Sequence, residues 1–475
     1  MATISSSTAT ALDVPTLVSQ LIAVDRQPID KLNTKVSTYQ SKISSYGTLS
    51  SLISSFQSAS AALTTNLQKL AATPSDSSVL SASVGSNAVP GNYSVSVSAL
   101  AQSQNLIAAG QTSSSATIGN GTPTTVTFAF GTISGGTLAS GKYSGAAFAP
   151  NGSGTASITI DSSNNTLAGI RDAINAAGAG VTATIVNDGS GTPYRLALAS
   201  TSTGVANSFS IATSGGDGAI DSLLAYDPTG TQNLTQTLAA QNAALSVNGI
   251  AITSASNTVN EAIQGVALTL TNTTSTPATL NVARDTTAIN AAASTFVDAY
   301  NALATQIKSR SAYGTSSATA GALAGDGTLR TLQDQLFGIF NSPATGGTLS
   351  SLAQVGIAFQ AGGKLALDSS KLNSAIATNY NDVSNLFSSP TGFSTRLTAW
   401  AKATLTSGGL IDTRTQSLNQ SVTFTNTEID RLNNQITALQ KKYTAQYTNL
   451  NVLLSSLNTT STYLTQQLAS SSSSR

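Results

Sequence analysis

At 475 residues the chain is long enough for several domains, about three at roughly 150 residues each. Only 9% of it is charged, and a net charge of +1 argues against nucleic-acid binding, which requires a basic footprint. With neither Cys nor His, disulfides, His/Cys zinc sites and catalytic schemes built on imidazole or thiolate are excluded. Hydrophobic residues at 40%, in clear periodicities, argue for folded domains despite the Ser and Thr content. No run approaches the roughly 18 apolar residues of a membrane span. The opening stretch through Leu17 has neither a basic n-region nor an apolar h-region, so no cleaved secretory signal is expected.

The first seventy residues read as helix. Asp13 can cap its start, with Pro15 in the first turn, followed by Leu17, Val18, Leu21 and Ile22. Pro28 is expected to break or restart the helix. Ile29, Leu32, Val36, Tyr39, Ile43 and Tyr46 then recur at spacings of three and four. After Gly47 the phase shifts to Leu49, Ile53, Phe56, Leu63, Leu67 and Leu70, and the Thr73-Pro74-Ser75-Asp76 turn is expected to end the helix.

The middle changes to a period of two. Tyr93, Val95 and Val97 alternate with Ser, as do Val126, Phe128 and Phe130, Ile158 and Ile160, and Val181, Ala183 and Ile185 with other small residues. Asn248-Gly249 between β-formers predicts a tight hairpin. Val266, Leu268 and Leu270 alternate again, followed by Leu280 and Val282. One short helix over Leu167, Ile170 and Ile174, closed by Gly178, interrupts this β-rich part.

From Asp285 the helical period returns in Ile289, Phe296, Tyr300, Leu303 and Ile307. Shorter helices are expected around Leu329–Phe340, Asp368–Ala377 and Phe393–Leu405, with Trp400 on an apolar face. After Gly408-Gly409 a last helix runs from about Ile411 to Ala469. Its stripe passes through Ile429, Leu432, Ile436, Leu439 and Tyr443, then Leu450, Leu454, Leu457, Leu464 and Leu468. No charge occurs between Lys442 and Arg475. The stripe drifts across the helix, as a straight helix drifts about 20° per heptad, so it is too broad for an isolated two-stranded coiled coil. It suits a helix packed first on its own N-terminal partner and then on neighbours towards its tip.

Few residues suggest chemistry. Asp217, Asp221 and Asp326 lie among glycines and read as turn formers or caps. Asp188-Gly189-Ser190-Gly191 reads as a turn, since no Lys-Ser/Thr helix start follows it. The Asp161-Ser-Ser-Asn-Asn segment lacks the glycine and terminal glutamate of a calcium loop. No nucleophile, base and oxyanion donor assemble, so the reading is of a chain that is not an enzyme and uses no cofactor or metal.

Particular motifs carry a family resemblance. Leu12-Asp13-Val14 through Leu17-Val18-Ser19-Gln20-Leu21 with Pro28, and then Tyr46-Gly47-Thr48-Leu49, resemble the N-terminus of the bacterial flagellar filament cap family, also called flagellar hook-associated protein 2. Ala11 replaces that family's usual glycine. Gly409-Leu410-Ile411 through Leu418, Thr444-Ala445-Gln446-Tyr447 and Tyr463-Leu464-Thr465-Gln466-Gln467-Leu468 are similar to its C-terminal helix. Thr166 through Asn175, continuing to Tyr194-Arg195-Leu196, resembles the flagellin and hook IN motif. Val247-Asn248-Gly249 through Asn257-Thr258-Val259, with Gly265 through Leu270, is similar to a further cap segment.

The resemblance implies an α+β multidomain fold, with N- and C-terminal helices forming a coiled-coil or bundle leg and β-rich head domains inserted. The expected divisions are 1–42 with 430–475 as terminal helical segments, flexible before assembly, and 43–75 with 285–429 as a helical leg domain. A β-rich head domain spans 76–108 with 239–284, and a second is inserted at 109–238. The implied role is a cap at the filament tip that promotes flagellin polymerisation and prevents loss of monomers. Implied partners are further copies in a pentamer-like ring, flagellin, hook–filament junction proteins, and an export chaperone at the C-terminal helix. The implied location is the flagellum tip, reached by the flagellar type III route. Candidate interface residues are Leu12, Asp13, Leu17, Leu21, Ile29, Leu32 and Val36 on the first helix. On the last helix they are Ile429 through Tyr443 of its stripe, with Leu450, Leu454, Leu457, Leu464 and Leu468. The rival readings are a flagellin or junction subunit, and an adhesin displayed by the β domains.

Overall fold

The computed structural model describes residues 12–314 and 320–472. Ala11 and the rest of the first eleven residues, with residues 473–475, lie outside the described residues. The chain divides into two compact units, one formed by Gln68–Asp285 and the other by the segments that flank it.

The first helix, α1 (Val14–Leu67), starts where Asp13 caps it. Its Oδ1 accepts from the Thr16 amide at 3.3 Å and its Oδ2 from the Thr16 hydroxyl at 2.6 Å. Pro28, expected to break the helix, lies inside one continuous element. An internal proline costs about 3 kcal/mol. Here Ile22 and Ile29, both buried, hold the helix against its partner on either side of the ring. The helix also ends at Leu67, earlier than the Thr73–Asp76 turn.

The next residues open the β-rich unit, so the segment expected as helix to residue 75 is corrected. This unit contains β1 (Leu70–Pro74), β2 (Leu80–Val84), β3 (Gly91–Ala99), β4 (Asn105–Ile107), β5 (Thr124–Ala139) and β6 (Lys142–Ile160). Helix α2 (Leu167–Ala177) follows, then β7 (Val181–Asn187), β8 (Tyr194–Ser200), β9 (Ser208–Gly215) and α3 (Ala219–Leu224). The chain returns through β10 (Thr235–Leu238), β11 (Ala243–Val247), β12 (Ile250–Ser254), β13 (Thr258–Ile263), β14 (Val266–Leu270) and β15 (Ala278–Arg284). Leu70 pairs with Arg284 and Pro74 with Leu280, placing the proline on an edge strand, where its missing N–H is tolerated.

Two apolar cores form within this unit. In one, the sheet β1-β15-β3-β11-β12 and the sheet β13-β14-β2 bury Val95, Val97, Leu245, Leu268 and Leu280 in common. In the other, the sheets β10-β4-β8-β7 and β6-β5-β9 share Leu106, Phe128, Leu198 and Phe209 with the buried face of α2. Residue 108 was expected to divide them, but β4 already pairs with β8 and β10, and Leu106 is fully buried in the second core. The α2 helix is capped by Thr166, whose hydroxyl accepts from the Gly169 amide at 3.0 Å, and closed by Gly178 at φ 58°. Asn248 and Gly249 both have positive φ, the geometry of a type I′ turn joining β11 to β12.

The helical unit resumes with α4 (Thr286–Ser311) and α5 (Gly327–Asn341). A small hairpin of β16 (Ile357–Phe359) and β17 (Leu365–Leu367) follows, which helical periodicity did not reveal. Then come α6 (Ser369–Ser388), kinked at Asn379, α7 (Phe393–Leu405) and α8 (Leu410–Ser472). Phe56, Phe296, Tyr300, Phe340, Phe387 and Phe393 form the aromatic centre of the main core, with Phe56 and Phe296 centroids 5.1 Å apart. Helix α8 is about 95 Å long at about 1.5 Å per residue.

Candidate assembly surface

At the root of α8, three helices meet on one carboxylate. Asp326 caps α5, its Oδ1 accepting from the Thr328 amide at 3.0 Å. The same oxygen accepts from the Tyr46 hydroxyl of α1 at 2.7 Å, and Oδ2 accepts from Arg414 Nη2 of α8 at 2.8 Å. The Asp326 side chain is 1% exposed. Burial pushes its carboxyl up, but the hydrogen bonds from Tyr46, Arg414 and Thr328 outweigh it and hold the group below its ordinary 3.8. The Tyr46 phenol is pushed up by burial and then by the neighbouring carboxylate, while the bond to Asp326 raises Arg414.

Further along, α1 and α8 run antiparallel. The far end is marked by the Leu12 amide, which donates to Asn451 Oδ1 at 3.1 Å. Between the two ends lies a second, thinner core. Val14, Val18, Ile22 and Ile29 of α1 are buried with Ile436 of α8, and Leu12, Ile429, Leu432, Leu439, Tyr443 and Tyr447 pack against them half-buried.

The structure thus gathers Leu12 and Ile29 with Ile429, Leu432, Ile436, Leu439 and Tyr443. It does not gather the others. Asp13 is exposed and serves as a cap. Leu17, Leu21, Leu32 and Val36 are half-buried but outside the cluster. The row facing α8 is Val14-Val18-Ile22-Ile29, so Leu17 and Leu21 fall on a neighbouring row that continues to the exposed Val24. On α8, Leu454 is half-buried, whereas Leu450, Leu457, Leu464 and Leu468 are 41%, 57%, 55% and 68% exposed. Beyond Asn451 the helix presents Val452, Leu453 and Tyr463 to solvent as well.

The acids flagged by sequence have local duties. Asp188 pairs with Arg195 across a hairpin, Asp161 accepts from Ser163, Asp217 accepts from the Asn120 and Ala219 amides, and Asp221 from the Thr213 hydroxyl. Among the described residues no group of three His, Cys, Asp or Glu is placed to hold a metal, and no helix is long and apolar enough to cross a membrane. Trp400 is buried in the main core, and its Nε1 donates to Gln335 at 3.1 Å.

Residues 10–104 match the family described as Flagellar hook-associated protein 2 N-terminus, and residues 240–459 its C-terminus. A flagellar hook-associated protein 2 of Escherichia coli K12 is 36% identical over 495 residues, covering 100% of each chain. The chain belongs to the flagellar hook-associated protein 2 family. The B-type flagellar hook-associated protein 2 of Pseudomonas aeruginosa is 31% identical over 96% of each chain. Among solved structures, the D1-D2-D3 domains of the flagellar cap protein from Escherichia coli superpose with a TM-score of 0.62 at 33% identity, covering 79% of this chain and 99% of that one. Residues 150–202 match the Flagellin hook IN motif, which here spans the end of β6, α2, β7 and β8.

Family membership does not by itself mark the three-helix meeting at Asp326, which from sequence reads only as a turn former or cap. A signal for the rest was present. Ile411, Arg414 and Leu418 recur at three and four, so one of the chain's few charges sits on a buried stripe. A charge between two buried apolar residues points to a partner nearby, here the buried Asp326.

Proposed function

We propose that this chain is the structural cap at the tip of a bacterial flagellar filament, promoting flagellin polymerisation and holding monomers against loss. The observation that carries the mechanism is the end of α8, where large apolar side chains stand exposed on a helix without charge from Tyr443 to Ser472. Exposed apolar patches of this kind mark interaction surfaces. Thr, Ser, Asn and Gln between them can hydrogen-bond across a packed interface without the desolvation cost of charge.

In this reading the helical unit is the leg and the β-rich unit the head of a ring of copies. Candidate contact residues are Leu17, Leu21, Leu32 and Val36 on α1, with Leu450, Leu454, Leu457, Leu464 and Leu468 on α8. Leu12, Ile29, Ile429, Leu432, Ile436, Leu439 and Tyr443 hold the two helices in the form that presents them. Flagellin is the substrate of assembly, and no bond is made or broken. Before assembly the exposed end of α8 is the segment suited to an export chaperone, and after export the cap sits beyond the hook–filament junction proteins. Export follows the flagellar type III route. Native mass measurement with electron microscopy of the purified chain tests this. Small closed rings are expected, and long filaments would instead assign the chain as a filament subunit.

A further inference from the structure

We infer that Asp326 is a positioning residue that sets the axial register of α1 against α8, and so the depth to which the uncharged end of α8 projects. The inference is independent of the capping role.

The apolar seam cannot set that register alone. On α8, Ile411, Leu418, Thr425, Leu432 and Leu439 recur every seven residues, and on α1 so do Ile22, Ile29, Val36 and Ile43. Moving α8 by one heptad would replace Ile429, Leu432, Ile436, Tyr443 and Tyr447 with Ile436, Leu439, Tyr443, Leu450 and Leu454. Only Leu439, whose place would pass to Gln446, would lose its apolar character, so packing distinguishes the two registers incompletely. Complementary charges commonly make that choice in paired helices. Among the described residues, however, no salt bridge joins α1 to α8, and Arg431 pairs with Glu428 on its own helix.

Asp326 supplies the missing discrimination. It binds one donor from each helix with fixed geometry, and it is anchored by its own role as the cap of α5. Slipping either helix by one turn would remove a donor from a buried carboxylate. A buried polar group that fixes helical register is the best-attested use of such groups. The bond from Leu12 to Asn451 at the other end is half-exposed and neutral, and so weaker.

The absence of native cysteine allows the register to be read by disulfide trapping in the full-length chain. Stepping seven residues from the Leu12–Asn451 contact along both antiparallel helices brings Ser19 opposite Thr444. Ser19→Cys is therefore paired in turn with Thr437→Cys, Gln440→Cys, Thr444→Cys and Thr448→Cys. With Asp326 intact the yield should peak at Thr444→Cys. With Asp326→Ala its excess over the other positions should fall roughly tenfold as registers mix. Should that variant lose the Trp400 emission of the folded core, Tyr46→Phe with Arg414→Gln takes its place. Ile436→Ala weakens the seam without touching the carboxylate, and should keep the Thr444 peak. An unchanged peak in the folded Asp326 or Tyr46/Arg414 variant overturns the inference and assigns register to the short α7–α8 link. Equal spreading in Ile436→Ala overturns it too.

Discussion

The Tyr46 hydroxyl donates to Asp326 Oδ1 at 2.7 Å, joining residues 280 apart in sequence inside the main helical core. Tyr46→Phe removes one donor and should cost about 1–2 kcal/mol, whereas Asp326→Ala leaves Arg414 and Tyr46 without their acceptor and should cost about 3–5 kcal/mol. Denaturant unfolding followed by the emission of Trp400, the single tryptophan, measures both. Equal small losses in the two variants would mean that water replaces the carboxylate freely.

Acid should act on the same group. Because the Asp326 carboxyl lies below its ordinary 3.8 in the folded chain, the unfolded chain takes up the proton first. Its contribution is therefore complete above about pH 5 and is lost as pH falls through the depressed folded value. The Trp400 transition of the parent chain should weaken from about pH 4 downwards. Asp326→Asn should start less stable and show a shallower acid slope. Identical slopes would assign the acid sensitivity to other carboxyls.

The seam between α1 and α8 rests on few side chains, so one truncation should be felt along it. Ile436 is the α8 residue buried in that core, where its α8 neighbours are only half-buried, and Ile436→Ala should cost about 2–4 kcal/mol locally. Hydrogen exchange should show lost protection over residues 14–30, with the β-rich unit unchanged. Loss of protection in both units would contradict the separation of the cores.

In the second β core, Gln104 is fully buried. Its Oε1 accepts from the Phe209 amide and its Nε2 donates to Gln236 Oε1, each at 2.7 Å. Gln104→Leu orphans the Phe209 amide and leaves Gln236 Oε1 only the Tyr226 hydroxyl at 3.4 Å, and should destabilise this core by about 1–3 kcal/mol. The expected readout is faster exchange in β9 and β10 while β3 and β15 keep their protection.

Much of this architecture was legible because its elements obey simple periods. The alternation through Val95 and Val97 and the Asn248-Gly249 turn are local signals, and each became a strand or a hairpin as expected. The errors arose where tertiary partners override local preference. Pro28 remains helical because Ile22 and Ile29 are held on both sides of it. Leu70 continues the helical spacing from Leu67, yet the strand around Leu280, far along the chain, captures it. The contact surface was less legible than the fold. Leu17 and Val18 are both apolar and adjacent, and only the azimuth of α8 decides that Val18 is buried and Leu17 is not. The Asp326 meeting needed three distant segments, and composition alone could flag only Arg414.

On the proposed reading, the end of α8 works by contacts outside its own chain. This is tested most directly by deleting residues 452–475 and imaging filament growth in a host that lacks its own cap protein. The truncated chain should keep the unfolding transitions of both units, since the deleted side chains described here are mostly exposed, yet filaments should be absent. Filaments of normal length from a stably folded truncation would contradict the account.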